Sequence, residues 1–327
     1  MTPSFLLFFS TTIMGTMISL SSTNWLYLWM GMELNLLSFI PIMSHSHKLQ
    51  ETTGSVKYFM VQATGSGLML TMGILSMNPY MTSYQLIINL IFMMSMCMKL
   101  GTPPYHQWLP HVMTSIPWSS CLMLATWQKI SPLMMLTFIT PSEMYPMVMM
   151  IASLSAIVGG TGGMNQSQMR ALMAYSSIGH MGWMLAALTI SNELSLMYFF
   201  VYTMITASLM LMLLKSNILM SQISNTLIPT KMMMMYMIMF VLMSLGGLPP
   251  LLGFIPKWTI IYMLTEMNMM TPLFMLITGS IINLFYYFSM MFNMMLTQSQ
   301  LLLSQSPPLW SLMLTSMTTV VPSMLIL

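Results

Sequence analysis

Five charged side chains lie inside long apolar stretches of this sequence. Glu33 is found in WMGMELNLL, Lys99 in MCMKLGTPP, Lys129 in ATWQKISP and Lys257 in GFIPKW, while Lys57 lies nearer the end of its stretch. One carboxylate cannot neutralise all the central lysines, so some of them must be neutral or hydrated for part of the time. Burial favours the neutral form of a lysine, whereas a nearby carboxylate favours its charged form. A row of such groups could exchange protons, which predicts ion translocation.

Each of these residues also has a structural interpretation. Lys57 could extend its ammonium to the lipid headgroups, and Glu33 could form a permanent ion pair with one lysine. His106 and His180 are secondary candidates for proton carriers, because histidine titrates near neutral pH. Each could instead be hydrogen-bonded to a backbone carbonyl. The five histidines offer no facing pair for haem, and we predict no metal or other cofactor site.

The elements that position these side chains are expected to be membrane helices. The chain has 327 residues, of which 57% are hydrophobic and only 4% are charged, whereas a soluble domain carries roughly 25% charged residues. This length suits about ten or eleven spans of about 20 residues each. The net charge of +3 is scattered along the chain, which argues against nucleic-acid binding. The sequence therefore predicts an all-α polytopic membrane protein.

We predict eleven spans from the apolar stretches. They cover residues 3–20, 24–43, 54–77, 83–115, 117–139, 144–163, 167–190, 195–215, 234–265, 273–296 and 307–327. Two spans are interrupted by glycine and paired prolines, at residues 100–104 and 246–250. Proline breaks a helix, and a break at membrane depth survives only where protein or a water-filled cavity surrounds it.

The charges in the predicted loops give the orientation. All four loop cations fall on the side of the N-terminus: Lys48, Arg170, Lys215 and Lys231. Glu51 also falls on this side, whereas the carboxylates Glu143, Glu193 and Glu266 fall on the other side, which has no Lys or Arg. The positive-inside rule therefore places the N-terminus on the cytoplasmic or matrix side of the membrane.

The two broken spans lie five spans apart and are predicted to run in opposite directions. This pattern is typical of an inverted repeat with an ion path at the breaks. We therefore predict two inverted five-helix repeats, each with one broken helix, at residues 1–140 and 141–297. Residues 298–327 would form one extra C-terminal helix.

Six long motifs, in order along nearly the whole chain, carry a family resemblance. They are NWLYLWMGMELNLLSFIPIM, KYFMVQATGSG, MKLGTPPYHQWLP, TWQKISPLMML, GGMNQSQMRALMAYSSIGHMGWM and SLGGLPPLLGFIPKW. The sequence resembles the antiporter-like membrane subunits of mitochondrial NADH:ubiquinone oxidoreductase, respiratory complex I. The fold of that family, two inverted five-helix bundles with one broken helix each, is the same as the one predicted above.

The resemblance implies that this chain is a proton-translocating subunit of the complex I membrane arm. Quinone reduction elsewhere would drive protons through Glu33 and Lys99 as a coupled gate, with Lys129 and Lys257 as relay sites. No redox centre is expected in this chain, since FMN and Fe–S clusters would lie in other subunits. The expected partners are other membrane-arm subunits, in an obligate hetero-oligomer, and membrane lipids with cardiolipin among them. The expected location is the mitochondrial inner membrane, with the N-terminus in the matrix and the C-terminus toward the intermembrane space.

Two alternative functions stay open at this point. A stand-alone cation/proton antiporter of the same fold would work without partners, although the chain contains no Asp and offers no obvious cation site. A structural membrane scaffold would hold the same charges in permanent pairs. Neutralising Lys99 or Lys129 in a scaffold would then leave activity unchanged.

Overall fold

The computed structural model describes residues 3–46, 48–77, 84–216 and 229–298, and the regular elements in these ranges are all helical. The α-helices are α1 (Pro3–Ser21), α2 (Trp25–Met43), α3 (Leu49–Ser76), α4 (Gln85–Leu100), α5 (Trp108–Ser115), α6 (Trp118–Ala125), α7 (Trp127–Ile139), α8 (Tyr145–Met164), α9 (Met169–Ile190), α10 (Asn192–Ser216), α11 (Pro229–Gly246), α12 (Phe254–Glu266) and α13 (Met270–Gln298). Each predicted span up to residue 296 coincides with one helix or a consecutive pair. The predicted span at 307–327 lies outside the described residues.

Seven segments of the described chain are long and apolar enough to cross a membrane. They are Pro3–Ser21, Trp25–Met43, Leu49–Ser76, Trp118–Ile139, Ser142–Met164, Asn192–Lys215 and Met270–Phe292. Helices satisfy their backbone N–H and C=O groups internally, which is what lipid requires. Helix α9 is not among the seven, but it is buried by neighbouring helices along nearly its whole length. Protein rather than lipid therefore surrounds its polar side chains.

The chain divides into two compact units, the first ending at Met147 and the second beginning at Val148. Each unit contains one broken helix. In the first unit the break separates α4 from α5, and in the second it separates α11 from α12. Both breaks carry a glycine with positive φ, Gly101 at 73° and Gly247 at 80°, followed by a proline pair joined by a cis peptide bond.

The first unit is organised by close packing of α1 on α2. A methyl group on Gly31 would lie 2.5 Å from the backbone nitrogen of Ser19, and one on Gly15 would lie 2.7 Å from that of Asn35. Small residues allow this approach of two backbones in a membrane protein. Helix α3 then packs against α2, α4 and α5. Asn35 and Ser38 of α2 are thereby buried inside the unit.

The second unit is built around α9. Helices α10, α12 and α13 all pack against it, and α11 packs on α10 and α13. Trp183 of α9 and Tyr287 of α13 are among the largest fully buried side chains. The unit therefore has an interior in which polar groups can be kept away from lipid.

One predicted span differs from the structure. The sequence predicts one continuous helix over residues 117–139, but the structure interrupts it at Thr126, with φ −113° and ψ −72°. The Thr126 hydroxyl donates a hydrogen bond of 2.7 Å to the Leu122 carbonyl. Threonine bonded back to the preceding turn commonly bends a helix. The interruption falls three residues before Lys129.

The contact between α1 and α2 predicts a steric effect at Gly31. Gly31→Ala should destabilise the assembled protein by about 1–3 kcal/mol, because the added methyl meets backbone that cannot move aside. Gly67→Ala is the matched control, since a methyl there meets nothing within 4 Å. Thermal unfolding of the two purified variants would measure the difference. Equal stability of the two would contradict the packing described here.

Candidate functional site

The first helix break leaves backbone carbonyl groups without intrahelical donors, and side chains donate hydrogen bonds to them. Helix α4 ends at Gly101, whose left-handed backbone conformation is the usual glycine termination of a helix. The indole Nε1 of Trp108 donates to the Met98 carbonyl at 3.1 Å, and the Gln62 amide donates to the Lys99 carbonyl at 3.3 Å. These bonds replace the intrahelical partners lost at the break. The break is therefore stable at depth and holds the Lys99 backbone in place.

Lys99 and Glu33 form the charged part of the first unit. The Lys99 side chain is buried in the last turn of α4, and it interacts electrostatically with the Glu33 carboxylate of α2. The Oε2 atom of Glu33 is buried and accepts no hydrogen bond within the described residues.

Lys129 lies at the start of α7 and is only 3% exposed. Its neighbour Gln128 forms a polar chain across three helices. The Gln128 amide donates to Asn35 Oδ1 at 3.0 Å, and the Tyr58 hydroxyl donates to Gln128 Oε1 at 3.4 Å. Since Asn35 is two residues from Glu33 on α2, this chain joins the segment around Lys129 to the segment around Glu33.

This polar chain was not found by sequence reasoning. Asn35, Tyr58, Gln62 and Gln128 are polar side chains inside or beside the predicted spans 24–43, 54–77 and 117–139. An unpaired side-chain amide is costly in lipid. Amides inside apolar spans are therefore the sequence signal that indicates such a chain.

The second unit holds Lys257 in a different way. The Lys257 ammonium is buried and donates to the carbonyls of Gly246 at 2.9 Å and Leu245 at 3.4 Å. These carbonyls belong to the C-terminal end of α11, which carries the negative end of the helix dipole. Gly247, with φ of 80°, ends that helix. Lys257 is therefore stabilised by a helix terminus.

The remaining predicted residues have distinct environments. His180 is buried in α9, with 2.9 Å between its Nδ1 and the Tyr198 hydroxyl. His106 is half-buried in the first break, close to the Pro104 backbone. Lys57 is exposed on α3, although the adjacent Tyr58 is buried. The structure thus buries Lys99 and His180, leaves Glu33 and His106 partly buried, and leaves Lys57 exposed.

Metal ligation has no candidate in the part of the chain that the structure describes. No group of three or more His, Cys, Asp or Glu side chains there could hold a metal ion. Cys97 and Cys121 are both buried and form no disulfide.

Comparison with known proteins gives a family match over most of the chain. The sequence pattern of a family described as "NADH:quinone oxidoreductase/Mrp antiporter, TM" matches residues 22–283. The protein named NADH-ubiquinone oxidoreductase chain 2 from Lumbricus terrestris is 43% identical over 297 residues, covering 90% of this chain and 87% of that protein. The protein of the same name from Bos taurus is 38% identical over 300 residues, covering 90% and 86%.

Two solved structures show the same fold. A chain of respiratory complex I from Thermus thermophilus with bound aureothin superposes with a TM-score of 0.83 at 21% identity, covering 98% of this chain and 77% of that chain. A chain of the Mrp complex from Dietzia sp. superposes with a TM-score of 0.75 at 14% identity, covering 91% and 60%.

The Lys257 environment predicts that Gly247 is sensitive to substitution. Gly247→Ala should lower stability by about 1–2 kcal/mol, the cost of a left-handed conformation in a residue with a Cβ. The added methyl would also lie 2.9 Å from the Lys257 Nζ and displace the ammonium. Gly246→Ala is the control, since its methyl would make only an ordinary contact at 3.6 Å. Thermal unfolding and enzymatic turnover would be compared, and equal behaviour of the two variants would contradict this geometry.

Proposed function

Since the chain belongs to the family of membrane subunits shared by NADH:quinone oxidoreductases and Mrp antiporters, we propose that it translocates protons within the membrane arm of NADH:ubiquinone oxidoreductase, respiratory complex I. Electron transfer from NADH to ubiquinone takes place elsewhere in that complex and supplies the energy. The observation that carries this proposal is a set of ionisable side chains inside a membrane protein: Lys99, Lys129 and Lys257 are buried, and Glu33 is partly buried.

In the first unit, Glu33 and Lys99 act as a coupled gate. Protonated Lys99 stabilises ionised Glu33, and each therefore changes the proton affinity of the other. When the interaction is lost, Lys99 releases its proton more easily. The electrostatic interaction between these two residues supports this role. A change of state at the gate would alter the proton affinity of Lys129, which serves as the next relay site.

In the second unit, Lys257 is the relay site. The two carbonyls at the end of α11 favour its protonated form, because a helix C-terminus attracts a cation. Movement of that helix end would weaken this stabilisation and release the proton. His180 is a secondary carrier in the same unit, since a histidine can accept and donate a proton near neutral pH.

The other two candidates receive different assignments. His106 lies at the first break and is half-buried, so it can exchange protons between that break and water. The exposure of Lys57 favours the interpretation in which its ammonium extends to lipid headgroups. We therefore leave Lys57 outside the proton path.

The architecture and setting that the sequence predicts are part of the same proposal. They comprise eleven spans in two inverted five-helix repeats and an N-terminus on the matrix side of the mitochondrial inner membrane. The broken helix in each unit supports the repeats.

The proposed partners are the other membrane-arm subunits and lipids, with cardiolipin among them. The chain would carry no redox centre, because FMN and Fe–S clusters reside in other subunits.

The relay predicts that Lys129→Met separates pumping from assembly. The assembled complex should form normally, since methionine fills a similar volume. NADH-driven proton pumping should fall by roughly tenfold or more, because a positioned proton-transfer group contributes about 10²–10⁴-fold. Native electrophoresis would check assembly, and a pH-sensitive dye in proteoliposomes would measure pumping per NADH oxidised.

Lys57→Met is the matched control, because it removes an exposed lysine from the same unit. It should pump at the rate of the unmodified complex. Unchanged pumping rate and stoichiometry in Lys129→Met would contradict the relay and favour a structural scaffold.

A further inference from the structure

The interior of the second unit contains a group of hydroxyl and amide side chains outside the assigned lysine path. Tyr198 and Tyr202 lie one turn apart on α10, and Asn283, Tyr286 and Tyr287 lie on α13. All five side chains are buried. We call these five residues the tyrosine cluster. Four phenols and an amide in one membrane-embedded interior are costly to bury unless their polar atoms are used.

Several polar atoms of the tyrosine cluster have no partner of good geometry within the described residues. They are the hydroxyls of Tyr286 and Tyr287 and the Oδ1 of Asn283. The Tyr286 and Tyr287 rings pack edge to face with centroids 4.6 Å apart. Their hydroxyls lie near each other, and that of Tyr287 also lies near Ser176. Buried polar atoms left over in this way are the usual binding positions of internal water.

The tyrosine cluster reaches His180 at one end. The Tyr198 hydroxyl lies 2.9 Å from His180 Nδ1, and the Tyr202 ring centroid lies 5.2 Å from that of His180. Tyr198 and Tyr202 lie in the same interior as Tyr287 of α13. Direct contacts thus join α9 to α10 at His180, and the step from α10 to Tyr287 of α13 is assigned to bound water.

At its other end the tyrosine cluster packs against the glycine whose carbonyl binds Lys257. The Tyr287 ring lies against Gly246, so that a methyl on this glycine would be 3.6 Å from Tyr287 Cδ2. The carbonyl of the same glycine accepts the hydrogen bond from Lys257 at 2.9 Å. One residue thus contacts both the tyrosine cluster and the buried ammonium.

Two glycines on neighbouring helices provide the space that side chains of the tyrosine cluster fill. A methyl on Gly163 would lie 2.6 Å from Cε1 of Tyr286, and one on Gly179 would lie 2.6 Å from Nδ2 of Asn283. The polar side chains therefore fit only because α8 and α9 carry no side chain at these points.

We propose that the tyrosine cluster, with water bound to its unpartnered oxygens, is the proton-transfer connection between His180 and Lys257. Each hydroxyl or water accepts a proton on one side while it donates its own on the other. The lysine ammonium thereby becomes neutral as the imidazole becomes charged, and no phenol has to ionise. The connection rests on the proposed function, since it serves the same proton movement.

Tyr287→Phe tests this connection, because it removes only the hydroxyl and keeps the ring packed on Gly246. The variant is measured in the assembled complex, or at the equivalent position of a tractable relative. Proton pumping should fall about three- to tenfold, which corresponds to the net free energy of one hydrogen bond. The ratio of pumping rates in H₂O and D₂O should rise, because proton transfer becomes more rate-limiting. Tyr236→Phe is the matched control, since that tyrosine is 43% exposed, and it should change neither quantity.

Lys257→Met, measured in parallel, separates this proposal from the proposed function. Impaired pumping in Lys257→Met with normal rate and isotope ratio in Tyr287→Phe would overturn the connection and leave the function standing. Normal pumping in both would overturn both. Tyr286→Phe provides a second variant if Tyr287→Phe does not assemble. Loss of assembly in both tyrosine variants would show that the hydroxyls hold the fold together, and would also overturn the proposal.

Discussion

A charge inside a membrane protein must be stabilised by the protein itself, and the rest of this structure depends on that requirement. Placing a lysine at the centre of a membrane helix costs about 2.5–3.5 kcal/mol on insertion scales. The chain buries three lysines, Lys99, Lys129 and Lys257. The helix breaks, the close contact of α1 with α2 and the polar chains between helices all help to place partners around them.

The two units meet this requirement in different ways. The first unit places a carboxylate near Lys99 and a chain of amide and hydroxyl groups beside Lys129. The second unit instead directs Lys257 to the carbonyl end of a broken helix. A stabilising partner that can move or change its charge also sets when the proton is released. Broken helices are suited to this task, because their free ends combine a dipole with backbone that can shift.

The breaks themselves could be predicted from the sequence. Glycine followed by paired prolines terminates a helix by removing N–H groups and requiring a left-handed residue, and both breaks occur where this pattern predicts them. The candidate residues were also visible, since Glu33 and the three lysines are charges in apolar surroundings. Family motifs then indicated the same positions.

The partners of these residues could not be predicted in the same way. Lys257 is bound by backbone carbonyls, which carry no sequence signal. The contact of Gln128 with Asn35 joins residues 93 apart in the chain, so it depends on tertiary packing. The interruption at Thr126 falls in an otherwise regular apolar stretch, where the Thr126 hydroxyl bonds back to Leu122. The helices and the charged positions can therefore be predicted from local sequence patterns. The environment of each charge depends on tertiary packing and is visible only in the folded structure.

The central claim is that Glu33 and Lys99 act as one coupled unit in proton translocation. A double-mutant cycle tests it most directly, with Glu33→Gln, Lys99→Met and both changes together compared for NADH-driven pumping in the assembled complex. Coupled residues give non-additive effects, so we expect the double variant to lose no more pumping than the more impaired single variant. Losses that multiply in the double variant would show that the two residues act independently, and would contradict this account.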